Sequence, residues 1–167
     1  LMPEASPKKQ SQSNGEVERA VQSVQGLART IKDFLEQKSG ITIGPRSPLL
    51  AWLVEHAGNL LTLFHKGTPR DGHTAWMRLR GKPWRMAMLQ FGEYVEFRQK
   101  TRNKLQNKYR PGIFLGVKLD STEKIVADKD GVYVVSDIQR VPEEHKYNAV
   151  MLKSVRGTPW EPKPGDE

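Results

Sequence analysis

Apolar residues recur along the first third of the chain at Val17, Ala20, Val21, Val24, Leu27, Ala28, Ile31, Phe34 and Leu35. Gaps of three and four place them on one face of an α-helix. Ser13 and Glu16 stand three apart, the spacing of a capping box, and Gly40 follows the last periodic residue. The pattern therefore predicts a helix from about Asn14 to Lys38. Ser47-Pro48 opens a second helical stretch, Leu49 to Phe64, which is apolar nearly all round and should be buried. Thr74 to Arg80 reads as a short helix closed by Gly81, with Trp76, Leu79 and Trp84 expected to pack.

After Phe91-Gly92 the period changes from helical to alternating. Val95 and Phe97 face one way, and Tyr94, Glu96 and Arg98 the other. Ile113, Leu115 and Val117 mark one face of a second strand. Ile125-Val126-Ala127 and Val132-Tyr133-Val134-Val135 flank the turn Asp128-Lys129-Asp130-Gly131, and Ile138 to Val141 suggests a last short strand. The fold class read from this order is α+β: a helical part over 11–86, then a small basic β-barrel of SH3-like type over 90–142. Residues 1–10 read as an unstructured lead-in, and 143–167, proline-rich near its end, as an extended linker.

Composition narrows the function. The 167 residues carry a net charge of +8 with a pI near 9.8, which points to a polyanion as partner. There is no cysteine, so disulfides and cysteine-ligated zinc are excluded. No apolar run approaches the ~18 residues of a membrane span. Thirteen residues, Arg98 to Arg110, hold six cations (Arg98, Lys100, Arg102, Lys104, Lys108 and Arg110) and no acid. Such a segment on a barrel is suited to phosphate contacts. In the first helix Asn14, Glu18, Gln22, Gln25, Arg29 and Lys32 share a polar edge. That edge is either the solvated side of an amphipathic helix, or a face that follows a phosphate backbone through its cations while Glu18 faces a metal. Glu55-His56 lacks a third group to complete a catalytic set, and His65 and His73 lack ligands at metal spacing.

The stretch Gln12-Ser13-Asn14-Gly15-Glu16-Val17-Glu18-Arg19 resembles the third-carboxylate motif of retroelement integrases. The order of Thr68-Pro69, Gly81-Lys82-Pro83, Phe91-Gly92 and Gly112-Ile113-Phe114-Leu115-Gly116 is similar to that in copia-type retrotransposon polyproteins. The resemblance runs from about Ser11 to Val141. It implies the last helices of a ribonuclease-H-like integrase core followed by the barrel, in a fragment of a longer polyprotein. Integrases of this kind carry out metal-dependent polynucleotidyl transfer, with Mg2+ or Mn2+ held by two aspartates and a glutamate. Glu18 matches that glutamate, as catalytic and metal-binding residue, and Asn14 a position that touches DNA. The aspartates belong upstream, so this chain alone is expected to be inactive and to hold no metal tightly.

The partners implied are DNA (element ends and target), the upstream integrase core, a downstream reverse transcriptase and a further copy in a homo-oligomer. No membrane is among them. The implied location is intracellular, nuclear at the time of integration. Gln22, Gln25, Arg29 and Lys32 join the six cations of the basic segment as expected nucleic-acid contacts. Two other readings stay open: a non-enzymatic nucleic-acid-binding module, and a decayed transposon remnant.

Overall fold

The computed structural model describes residues 8–67, 71–99, 103–106 and 108–165. The chain is α+β. Helices α1 (Lys8–Ser39), α2 (Pro48–Phe64) and α3 (Ala75–Arg80) precede five strands: β1 (Tyr94–Arg98), β2 (Tyr109–Val117), β3 (Lys124–Ala127), β4 (Val132–Val135) and β5 (Ile138–Arg140). A 3-10 turn, Glu143–His145, and helix α4 (Ala149–Ser154) follow.

Local chemistry sets the helix ends. The Ser47 hydroxyl accepts from the Leu49 amide and Thr74 Oγ1 from the Met77 amide, at 3.3 and 3.1 Å. At the end of α1, Gly40 takes φ 77° and donates its amide to the Glu36 carbonyl. The start of α1 departs from the sequence expectation. The helix begins at Lys8, so Ser13 and Glu16 lie within it rather than forming a cap, and residues 8–10 of the expected lead-in are helical.

The strands form one antiparallel sheet in the order β4-β3-β2-β1-β5. β4 and β5 are its two edges, yet only Ser136 and Asp137 separate them. Three peptide links span at most about 11 Å, whereas the edges of a flat five-strand sheet stand about 19 Å apart. The sheet is therefore strongly curled. Inside the curl, Val95, Phe97, Phe114, Val117 and Val126 pack with Leu63, Trp76 and Leu89. Outside it, Ile113, Leu115, Ile125 and Ala127 pack with Leu35, Trp52, Leu53 and Ala57 of the two long helices. The helical part and the sheet thus share one core across the boundary expected near residue 90.

Residues Gly112 to Val117 of β2 are buried on both faces. Val117 was expected on the face of Ile113 and Leu115, but it joins Phe114 instead. The β2–β3 register shifts between Phe114 and Gly116, and one extra residue reverses the alternation. The motif glycines are packing residues. A Cβ on Gly112 would meet the Phe97 ring at 2.8 Å, and one on Gly116 would meet His56 Nδ1 at 3.2 Å.

Three further expectations are corrected. Phe91-Gly92 does not begin β1. It lies in a turn closed by Glu93 N–H donating to the Gln90 carbonyl, with Gly92 at φ 81° and Leu35 2.7 Å from where its Cβ would sit. Leu79 is 75% exposed, because the six-residue α3 buries only Trp76, edge-on to Trp84. Over its described residues, 143–165, the expected extended linker is folded. Asn148 caps α4, Leu152 and Val155 enter the core, and Trp52 Nε1 donates to the Gly157 carbonyl at 2.8 Å.

The apolar stripe of α1 is covered only along its second half. Ala28 and Leu35 are buried, whereas Val17 and Val21 are 60% and 49% exposed. Helix lengths account for this: 32 residues span about 48 Å, and the 17 of α2 about 26 Å.

Candidate nucleic-acid interface

β1 and β2 extend beyond the sheet as a hairpin arm. Their pairing runs out to Arg98 opposite Tyr109, and Gln99 N–H donates to the Lys108 carbonyl. Asn103 builds the tip: its carbonyl accepts from the Gln106 amide and its Oδ1 from the Leu105 amide. Leu105 at that tip is 93% exposed. Lys104 and Lys108 are both exposed on it. Lys100 and Arg102 lie outside the described residues.

The two end cations of the basic segment are bound into the fold. Arg98 pairs with Asp137 at 3.3 Å. Arg110 pairs with the buried Asp128, and its guanidinium stands 5.4 Å from the ring centres of both Phe97 and Tyr133. Asp128 is itself fixed, because its Oδ1 accepts from the amides of Asp130 and Gly131 in the β3–β4 turn. Arg110 therefore closes one end of the curled sheet with its charge largely neutralised. Beside the arm lies a groove of about 1110 Å³, lined by Phe97, Arg98, Lys108, Arg110 and Tyr133 among others. Glu123 and Asp137 line it too, so with Arg98 and Arg110 ion-paired, Lys108 and the Tyr133 ring are what it offers a phosphodiester chain.

The sites expected on α1 are placed separately. Asn14, Glu18, Gln22, Gln25 and Arg29 are exposed along one helix edge, while Lys32 is half-buried and bonded to Glu36 at 2.6 Å. Among the described residues, no group of three or more His, Cys, Asp or Glu converges on a point that could hold a metal. A single exposed carboxylate does not fit a two-metal centre.

His56 is a core residue. It is 3% exposed, lies against Phe91 and Phe114, and its Nδ1 is buried without a hydrogen-bond partner. Burial lowers its pKa from 6.5 to about 4. The unfolded chain therefore binds more protons between these values, and stability falls as pH drops from 6.5 to 4. The residue's share of that loss is about 3 kcal/mol. Denaturant titrations across this window should show the loss in the wild type and a smaller pH dependence in His56→Leu.

Two features of this region escaped the sequence reading. Tyr133 was legible only as a strand residue, and Lys163 only as part of a tail. Their meeting, with Lys163 Nζ 5.2 Å from the Tyr133 ring centre, depends on where the tail runs. No helix among the described residues is long and apolar enough to cross a membrane. No protein-family model, curated protein or solved structure matches this chain.

Proposed function

We propose that this chain is a nucleic-acid-binding module whose principal contact surface is the basic β1–β2 arm with the groove beside it. The observation that carries the reading is the pair Lys104 and Lys108, both exposed, in a segment whose end cations Arg98 and Arg110 are ion-paired. The net charge of +8 supports it. The curled sheet in the order β4-β3-β2-β1-β5 supports an SH3-like barrel as the finer description of the β part. The Gln-Ser-Asn-Gly motif around Glu18 supports a parent of integrase type, in which α1 and α2 close a ribonuclease-H-like core. In that parent the chain holds DNA for metal-dependent strand transfer, with Glu18 as one of three carboxylates. Its exposed position on the uncovered half of α1 leaves room for such a core to dock.

A non-enzymatic binding module is the second reading. It is favoured by the isolation of Glu18 from other carboxylates in this chain. Both readings place DNA on the arm, and one measurement tests that placement. Lys104→Glu with Lys108→Glu should weaken binding to a fluorescent 20-base-pair duplex at least about tenfold, and should make its salt dependence shallower by about two. Both residues are exposed, so the thermal unfolding midpoint should move little. Unchanged affinity and slope would remove the arm from the interface.

A further inference from the structure

The tail meets the sheet at a ring that also lines the groove. Pro162 accepts a backbone hydrogen bond from Val132 of β4 at 2.9 Å, which brings Lys163 over Tyr133. The path is built for close approach. A Cβ on Gly157 would lie 2.4 Å from the Pro162 carbonyl oxygen, and one on Gly131 3.0 Å from Lys163 Cγ. Phe97 stacks on Tyr133 with ring centres 5.7 Å apart and planes 26° from parallel, and is itself 3% exposed. Tyr133 is thus a backed aromatic platform at the edge of the groove beside the arm. Two cations stand over it. Arg110 is fixed by Asp128 and Asp130, whereas Lys163 is exposed at the end of the tail.

We propose that Tyr133 is a stacking site for an unpaired nucleobase, and that the base takes the place that the Lys163 ammonium holds in the free protein. This rests on the reading of the arm as a nucleic-acid contact and adds the class of ligand: a strand with at least one unpaired base, not continuous duplex alone. The exchange is inexpensive, because an exposed cation–ring contact is weak while stacking of a base on an aromatic ring is stronger. Paired bases within a duplex cannot make the same contact, since their faces are already covered by their neighbours.

The test compares anisotropy of labelled (dT)12 and a 12-base-pair duplex on the full chain. Lys163→Ala removes a positive charge, yet it should tighten (dT)12 binding about two- to fivefold, because the Lys163 ammonium no longer competes for the ring. Tyr133→Leu should lower (dT)12 affinity about tenfold or more relative to duplex affinity, and Tyr133→Phe should retain it, since the ring and not the hydroxyl carries the contact. Thermal unfolding of each variant distinguishes lost binding from lost fold. If Lys163→Ala weakens single strand and duplex alike, Lys163 is a phosphate contact and the exchange is wrong. A folded Tyr133→Leu that keeps the wild-type preference also overturns it. If duplex binds and single strand does not, the arm reading survives and the stacking site falls. If neither binds, both fall.

Discussion

Replacing Arg140 by alanine is expected to destabilise the chain by about 3 kcal/mol. The reason lies in its partner. Glu93 is 0% exposed, and its carboxylate accepts from Arg140 Nε at 2.8 Å and Nη2 at 3.1 Å. Without the guanidinium, that carboxylate keeps, among the described residues, the Gln90 amide at 3.2 Å. A buried charge stripped of its counter-ion costs more than the intact pair contributes. The Arg140 side chain is itself 48% exposed, so water can partly replace it, which places the effect at the low end of the range for buried pairs. The double variant Glu93→Leu, Arg140→Leu should recover most of the loss, because it leaves no orphaned charge. Chemical denaturation of the three proteins measures this. Equal loss in single and double variants would mean that Arg140 acts through packing rather than by answering Glu93.

The second large effect concerns how many cooperative units the chain contains. Trp52 is 5% exposed, in a core formed with Phe91, Ile113 and Leu152, and its indole N–H bonds to Gly157. Trp52→Ala should cost about 3–5 kcal/mol. Since the residue joins α2, the sheet and the tail, the loss should appear in one transition seen alike by helix-sensitive and tertiary probes. A variant whose sheet melts at the wild-type midpoint while its helices melt early would show two independent units. That outcome would restore the division near residue 90 that the change of hydrophobic period suggests.

What the amino-acid sequence reveals of this fold depends on the range of each interaction along the chain. α2, the capped α3 and the four-residue turn between β3 and β4 are set by neighbours in the chain, and all were legible. The register shift that moves Val117 to the face of Phe114 was not, because it is a property of pairing with β3. Glu93 gave no signal, since its partner lies 47 residues away. α4 carries an Asn148 cap and an apolar run, but six residues are too few to display a helical period. At the candidate site, the sequence marked the basic arm as a cluster of charge. It could not separate Lys104 and Lys108, which are exposed, from Arg98 and Arg110, whose charges are answered by Asp137 and Asp128. Only the fold makes that distinction, and it moves the expected contact toward the tip of the arm.

If this surface holds nucleic acid through its phosphate backbone, duplex binding must depend on salt. Affinity of the unmodified chain for a labelled 20-base-pair duplex would be measured from about 50 to 200 mM salt, a range over which phosphate contacts weaken markedly. Four cations of the basic segment in the sequence, Lys100, Arg102, Lys104 and Lys108, predict a slope of about −3 or steeper in log affinity against log salt. A slope near zero, or no binding at the lowest salt, would contradict the account.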